Sequence, residues 1–183
     1  MIAPTDLLRP GLLDRIAIVL TGPSPVIAEG LTALGATVGD VAIADPLDDD
    51  GAAAAAQAAG AVDVLVCDLR GARPGPDGFH DTLEPAWAAV RAIANAAMIP
   101  GERGGKITFV APAAGESDEF AAALRAALEN MARTLSIEWA RYGIRSVTIL
   151  PGAGSDDAAV ASLVAYLASP AGDYFSGCVL ELA

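Results

Sequence analysis

Positive charge is scarce in this sequence. The 183 residues include 11 lysines and arginines, of which Lys106 is the only lysine, against 23 aspartates and glutamates, and the formal net charge is −12. Because the sequence contains no basic cluster, we expect no binding to nucleic acid or to an anionic membrane surface. Apolar runs stay short of the roughly 18 residues that a membrane-spanning helix needs, and no signal-peptide pattern opens the chain. These absences predict a cytoplasmic protein.

Cysteine and histidine are almost absent. Cys67 and Cys178 lie in apolar, strand-like runs, where a small buried thiol is more common than a disulfide or a metal ligand. His80 is the only histidine, and its polar surroundings are typical of a surface loop. The sequence therefore predicts neither a metal site nor a structural disulfide.

Apolar strand-like runs alternate with helix-like segments along the whole chain. Strands are predicted at 15–20, 37–44, 62–69, 106–111, 144–150 and 178–182, and helices at 26–34, 51–60, 81–98, 118–142 and 156–168. The third helix is expected to stop before Pro100, and Ser117 or Asp118 to cap the fourth. Continuous apolar strands alternating with helices are typical of a parallel sheet covered on both faces. The sequence thus predicts a single α/β domain over 1–183, a three-layer, Rossmann-like, doubly wound parallel sheet of about six strands.

Several fragments resemble the short-chain dehydrogenase/reductase family. RIAIVLTG (15–22) is similar to its first strand and turn, GGKITFVAPAAG (104–115) to the strand that carries its catalytic serine, and LENMARTLSIEWARYGIRSVTILPG (128–152) to its long helix and following strand. The resemblance covers nearly the whole chain. It implies a fold one strand-helix unit shorter than a full member of the family. Whether the second or the third strand of the family is lost stays open.

In that family, a Thr-Gly-x-x-x-Gly-x-Gly turn after the first strand holds the pyrophosphate of a nicotinamide dinucleotide. Thr21 and Gly22 match the pattern, but Val26 replaces the second glycine, which lets the backbone approach the pyrophosphate. Pro23 and Pro25 have no N–H to donate to a phosphate. The resemblance therefore implies a vestigial turn, and we expect no bound cofactor.

The catalytic positions of the family are also substituted. Alignment on IRSVTILPG (144–152) places Pro112 at the orienting serine, Ala121 at the acid tyrosine and Arg125 at the lysine. None of them supplies the phenol that protonates a carbonyl in that family, so no catalytic residue is expected. The resemblance allows two matches for Asp45, either as a vestige of the acid after the second strand, which binds the ribose in the family, or as the aspartate after the third strand.

The two longest predicted helices favour association over catalysis. In the family, the helices equivalent to 81–98 and 118–142 pack against a second subunit. The residues predicted at this interface are Trp87, Val90, Leu128, Met131, Leu135 and Trp139. GERGGKITFVAPAAG (101–115) and DYFSGCVLELA (173–183) also resemble the inactive, shortened N-terminal domain of high-molecular-weight 3-ketoacyl-ACP reductases. The expected partners are a second copy of this chain or an active short-chain reductase.

The sequence favours a non-catalytic, short-chain-reductase-like protein that acts through homo- or hetero-oligomerisation. One alternative is a weakly active or ligand-binding NAD(P)-type oxidoreductase of the same family. A remote alternative is a receiver domain with Asp68 as phosphoacceptor, because VDVLVCDLRGARPGPDGF (62–79) resembles the strand and loop of such domains. That interpretation lacks the acidic pair after the first strand and the lysine after the fifth strand that a receiver needs.

Overall fold

A computed structural model describes residues 3–22, 24–75, 77–113, 115 and 118–183. The six strands of its sheet are β1 (Ala17–Thr21), β2 (Thr37–Asp40), β3 (Val64–Asp68), β4 (Gly105–Val110), β5 (Ile144–Pro151) and β6 (Val179–Leu182). The strand order is β2-β1-β3-β4-β5-β6, and every neighbouring pair is parallel. The expectations for Pro23, and for Ser117 as a helix cap, lie outside the described residues.

Helices form the connections between these strands. They are α1 (Pro4–Leu7), α2 (Pro25–Ala33), α3 (Asp49–Ala58), α4 (His80–Ile93), α5 (Ile99–Gly101), α6 (Glu119–Glu138) and α7 (Asp157–Ala168). Short 3-10 helices at Ala140–Tyr142 and Pro170–Tyr174 follow α6 and α7. Three helices begin at an aspartate whose side chain accepts a backbone N–H of the first turn: Asp48, Asp118 and Asp156. These caps fix the starts of α3, α6 and α7.

The sheet is covered on both faces. Helices α3, α4 and α6 pack on one face of the sheet. Helices α2 and α7 pack on the other face, where α1 contacts both of them. Along β3 the side chains alternate between the two layers, with Leu65 and Cys67 in the first and Val64 and Val66 in the second. Because both faces are buried, β1 and β3 are apolar at every position but the last. The predicted fold class is confirmed. Within the described ranges, no helix is both long and apolar enough to cross a membrane.

On the β1 side, the sheet ends at β2. In a doubly wound sheet of order 3-2-1-4-5-6, the second strand pairs with the first. Here β2 pairs directly with β1, with Thr37 opposite Ala17, and is itself the edge strand, so among the described residues no strand occupies the outer place. The predicted strand 37–44 is also shorter than expected. After Asp40, only the Val41 N–H still bonds to β1, at 3.0 Å from the oxygen of Leu20, and the chain then leaves the sheet.

The prediction that the third helix stops before Pro100 is wrong. Helix α4 continues through a π-helical turn, Ala94–Met98, directly into α5. Pro100 occupies the first turn of α5, a position where a helix needs no backbone N–H. The π turn thus restarts the hydrogen-bonding pattern, and the proline is accommodated without ending the helical path.

Candidate functional site

Doubly wound proteins bind their ligands at the carboxyl edge of the sheet, and β1 and β3 end side by side at this edge. Gly22 follows β1 with a φ of +87°, and a Cβ atom there would lie 2.7 Å from the backbone oxygen of Asp68. Glycine suits this position because it tolerates both the positive φ and the close approach. The packing of this turn against the end of β3 therefore accounts for Gly22 without any ligand.

Asp68, the last residue of β3, is bonded on both carboxylate oxygens, and its side chain is only 4% exposed. Ser24 Oγ donates to Asp68 Oδ2 over 2.5 Å. The Arg70 guanidinium donates through Nε to Oδ1 at 2.9 Å and through Nη2 to Oδ2 at 2.6 Å. The backbone N–H of Arg70 adds a bond of 3.1 Å to Oδ1. Bidentate pairs of this kind are strong and hold the two side chains in one geometry.

Arg70 extends these contacts to the start of α7. Its Nη1 donates to Asp157 Oδ1 over 2.5 Å, and Asp157 is the first residue of α7. The hydrogen bond to Asp68, together with the two nearby carboxylates, raises the pKa of Arg70 further above its ordinary value, so the guanidinium stays charged. We refer to Ser24, Asp68, Arg70 and Asp157 as the Asp68 network.

The Asp68 network lies beside the start of α2. A helix start normally favours a phosphate, because its N–H groups are free and its dipole end is positive. Ser24 is the N-cap residue of α2, but its hydroxyl makes no cap bond and donates to Asp68 instead. The next residue, Pro25, has no N–H. The Asp68 carboxylate is thus already held beside this helix start. Since the network contains two carboxylates and one guanidinium, a phosphate brought there would meet a net negative charge.

An open cleft of about 280 Å³ lies next to Gly22, between the ends of β1, β2 and β3 and helix α4. Its lining residues are Thr21, Gly22, Val41, Ala42, Ile43, Leu69, Thr82, Pro85, Ala86 and Ala89. Among these described residues, the hydroxyl groups of Thr21 and Thr82 are the only polar side-chain groups. The cleft therefore has room for an apolar or aromatic group, and its own side chains offer no cation to a phosphate.

The residues at the catalytic positions of the family have structural roles here. Arg125 Nη1 donates to the backbone oxygens of Pro112 and Pro151, each at 2.8 Å. Since Pro112 follows β4 and Pro151 ends β5, this side chain ties together the carboxyl ends of two neighbouring strands. Ala121 is buried in the first turn of α6, and its N–H donates to Asp118 at 2.9 Å.

Asp45 lies in the loop between β2 and α3, five residues after the strand ends. Its Oδ1 accepts the backbone N–H of Leu47 at 2.9 Å, a local turn that aspartate commonly forms. The side chain is exposed, and Asp45 does not belong to the lining of the cleft beside Gly22. The structure thus does not bring Asp45 together with Thr21 and Gly22.

Side chains with metal or nucleophile chemistry form no site within the described part of the chain. No group of three histidine, cysteine, aspartate or glutamate residues there could hold a metal ion. Cys67 and Cys178 are both free. Burial raises the pKa of Cys67 to about 12 and also raises that of Cys178, so both remain protonated thiols at neutral pH. His80 is exposed and pairs with Glu84 along α4.

The residues predicted at the subunit interface divide into two groups. Val90, Leu128 and Leu135 are fully buried in the layer between the helices and the sheet. They belong to the protomer's own core, which corrects their assignment to an interface, because the apolar stripe of α6 faces the sheet. The other three, Trp87, Met131 and Trp139, are half-buried at the edge of that core. The rings of Trp87 and Trp139 stack between α4 and the end of α6, with centroids 6.4 Å apart.

Sequence reasoning did not find Ser24, Arg70 and Asp157 as members of one network. The segment CDLR shows that an arginine lies close to Asp68, and an aspartate near a predicted helix start is visible as a cap. Neither pattern reveals that the two meet, because 87 positions separate Arg70 from Asp157 along the chain. Only the winding of the sheet brings them together.

Comparison with solved structures defines the class of fold. The chain is similar to a citronellol catabolism dehydrogenase (AtuB) of Pseudomonas aeruginosa PAO1, with a TM-score of 0.78 and 21% identity over 96% of each chain. It is similar to a 3-oxoacyl-[acyl-carrier protein] reductase of Brucella melitensis ATCC 23457, with a TM-score of 0.76 and 19% identity over 100% of this chain and 95% of that one. It is also similar to a hydroxysteroid dehydrogenase of Escherichia coli, with a TM-score of 0.73 and 21% identity over 94% of this chain and 97% of that one.

These likenesses establish that the chain has the fold of the short-chain dehydrogenase/reductases. At identities of 19–21% they concern the fold alone, since one fold supports many functions. No protein-family model and no curated protein sequence matches the chain. Function must therefore be argued from the residues at the carboxyl edge and on the helical surface.

Proposed function

We propose that this protein is a non-catalytic member of the short-chain-reductase fold that acts by association, with a second copy of itself or with an active reductase of the same fold. The observation that carries the proposal is the Asp68 carboxylate, held by Ser24 and Arg70 beside the start of α2. A dinucleotide in this fold presents its pyrophosphate at that helix start. The net negative charge of the Asp68 network, in which Arg70 neutralises only one of the two carboxylates, and the missing N–H of Pro25 both oppose such binding.

The residues that stand at the family's catalytic positions support the same proposal. Carbonyl reduction needs a group that delivers a proton to the carbonyl oxygen as the hydride arrives. Ala121 and Pro112 have no side-chain proton to deliver, and the Arg125 guanidinium is occupied by two backbone oxygens. An arginine also stays protonated at any working pH, which makes it a poor acid.

We predict that the protein does not bind NADH or NADPH with an affinity better than about 1 mM. The reason is the Asp68 carboxylate at the helix start, together with a cleft whose own side chains carry no cation. Isothermal titration calorimetry is the measurement. The gluconate 5-dehydrogenase of Burkholderia cenocepacia J2315, solved in complex with NADP, is a positive control. Micromolar affinity for either cofactor would overturn the prediction and favour the alternative of an active or ligand-binding oxidoreductase.

The outer side of α4 and α6 is the proposed association surface. Trp87, Met131 and Trp139 are half-buried at its edge, and Ile137 on α6 is 77% exposed. The 20 residues of α6 span about 30 Å at roughly 1.5 Å per residue. With α4 beside it, that length is enough for the about 800 Å² per partner that a specific interface typically buries. Aromatic residues and methionine are enriched in such interfaces.

We predict that Met131→Asp and Ile137→Asp each convert an assembled protein to monomers, because a charge in the middle of an apolar interface has to be desolvated without a partner. Size-exclusion chromatography with light scattering measures the assembly state. Ile137→Asp is the decisive variant, since an exposed side chain can be replaced without loss of fold. Tyr174→Asp is the matched control, because Tyr174 is 91% exposed and lies outside α4 and α6.

Two results would contradict this surface. One is an assembly that survives both substitutions or is lost equally in Tyr174→Asp. The other is a wild-type protein that stays monomeric at high concentration and with which no short-chain reductase co-purifies, either after co-expression or from its own cell.

A further inference from the structure

A groove lined by positive charge runs along the amino edge of the sheet, opposite the carboxyl edge. It consists of two adjoining clefts of about 290 and 570 Å³ that share Arg103, Gly104 and Arg145. The cations that line it are Arg15, Arg103, Lys106, Arg141 and Arg145. They come from the segments that precede or begin β1, β4 and β5. We refer to this surface as the amino-edge groove.

The charge of this groove is opposite to that of the protein. Its lining holds five of the 11 lysines and arginines of a chain with a net charge of −12. Only three carboxylates accompany them, those of Asp63, Glu102 and Asp173. The sequence alone shows no basic cluster, because Arg15 and Arg145 lie far apart along it. Parallel winding of the strands gathers these residues at one edge.

Two of the cations are committed to the fold. Lys106 Nζ lies 2.7 Å from a carboxylate oxygen of Asp173. The same group also donates to the backbone oxygens of Ala168 and Ser169 at the end of α7, at 3.2 and 2.5 Å. Arg103 lies 3.3 Å from Asp63. These pairs explain why two of the three carboxylates are present.

The other three cations make no ion pair with any residue in the described ranges. Arg141 lies over the ring of Tyr142 at 4.7 Å, and Arg145 makes one long hydrogen bond of 3.4 Å to the backbone oxygen of Gly143. Arg15 stands at the start of β1 with a φ of +66°. Their charges remain available to a binding partner.

Two glycines in the lining of the groove let the segments that enter β4 and β5 approach closely. Gly104 and Gly143 lie against each other where the chain enters β4 and β5. A Cβ atom on Gly104 would lie 2.7 Å from the oxygen of Gly143, so a side chain there would push the two segments apart. The close contact of the two glycines holds their neighbours Arg103 and Arg141 in the lining of one cleft.

We propose that the amino-edge groove binds an extended acidic segment, rich in aspartate and glutamate, of a partner protein. Arg15 lines one cleft, Arg141 lines the other and Arg145 lines both, and Asp63 and Asp173 share the first cleft with Arg15. This spread of charge disfavours one compact anion such as a phosphate. An extended chain can place separate carboxylates against Arg15, Arg141 and Arg145. The surface lies away from α2 and the Asp68 network, so the inference does not depend on the proposed function.

The probe is a fluorescently labelled peptide of alternating aspartate and glutamate, titrated with the whole protein and followed by fluorescence anisotropy. We expect saturable binding that weakens at least about tenfold as ionic strength rises from 0.01 M to 0.15 M, because the screening length falls from about 30 to about 8 Å. The strongly negative protein otherwise repels such a peptide, so non-specific attraction does not imitate the result.

The variant Arg141→Glu/Arg145→Glu is expected to lose at least about tenfold in affinity. The matched control is Arg9→Glu/Arg73→Glu, which changes the total charge equally at two exposed arginines outside the groove and is expected to change affinity less than about twofold. The single variant Arg141→Glu tests the same groove without changing a residue of the sheet, because Arg141 precedes β5 whereas Arg145 lies within it. Circular dichroism verifies the fold of every variant.

Three results would overturn the proposal. The first is no binding of the peptide by the wild-type protein at low salt. The second is an equal loss in the groove variant and in the control variant, which would reduce the effect to net charge. The third is tighter binding of inorganic pyrophosphate than of the peptide, with competition between them, which would assign the groove to a compact anion.

Discussion

Gly22→Val is expected to lower the free energy of unfolding by about 3 kcal/mol. A valine at a φ of +87° adopts a conformation that costs an L-residue about 1–2 kcal/mol, more when it is β-branched. Its Cβ would also lie 2.7 Å from the backbone oxygen of Asp68, and because that oxygen belongs to the end of β3, it cannot rotate away. Urea unfolding followed by circular dichroism measures the change.

Gly39→Val provides the control. Gly39 lies in the edge strand β2, where no atom comes within 4 Å of the position that a Cβ would occupy and where valine favours the extended backbone. We expect its stability to stay within about 0.5 kcal/mol of the wild type. Equal losses at the two positions, or a neutral Gly22→Val, would show that the β1 turn does not pack on the end of β3 as described.

Leu128→Ala is expected to lower the free energy of unfolding by about 3–4 kcal/mol without changing the assembly state. Leu128 is fully buried between α6 and the sheet, so the substitution leaves a cavity in a layer held by strands on one side. The Leu128 backbone oxygen also accepts a hydrogen bond of 3.0 Å from the buried Thr148 hydroxyl on β5, which limits how far α6 can move to fill the space.

Leu47→Ala is the matched substitution at an exposed leucine, with 76% of the residue accessible, and is expected to change stability by less than about 0.5 kcal/mol. Unfolding curves and light scattering on the same samples separate the two properties. If Leu128→Ala dissociated the protein and left its unfolding midpoint unchanged, the side chain would belong to the interface that its sequence pattern suggests.

The fold was predictable because periodicity in the sequence reports burial directly. Runs such as VLVC in β3 are apolar at every position, and only a strand covered on both faces explains this. Helix stripes are less informative. An apolar stripe such as that of Leu124, Leu128 and Leu135 is expected on a helix that faces the sheet and equally on one that faces a second subunit. In the structure, this stripe faces the sheet. A hydrophobic pattern therefore predicts which side of a helix is buried, but not whether the sheet or a second subunit covers that side.

At the candidate site, the sequence shows which motif positions of the family are substituted, but not which contacts the side chains make. Val26, Ala121 and Pro112 can be compared with a motif one position at a time. The Asp68 network and the amino-edge groove each depend on side chains from several connections that meet at one edge of the sheet. Which of these side chains come close together depends on the order of the strands in the sheet, and short-range sequence patterns do not reveal that order. The same limit applies to Arg125, whose two acceptors lie on different strands.

The strand order β2-β1-β3-β4-β5-β6 also fixes how the sheet can grow while the chain is being synthesised. Once β1 and β2 are paired, each later strand can join an edge that is still open, β3 on β1 and then β4, β5 and β6 in turn. No strand has to be inserted between two that are already paired. Because each parallel pairing waits for its crossover connection, the chain adds one closed loop at a time. The topology therefore allows the sheet to assemble in the order of synthesis from the N-terminus, with each added strand covering the edge that the previous one left open.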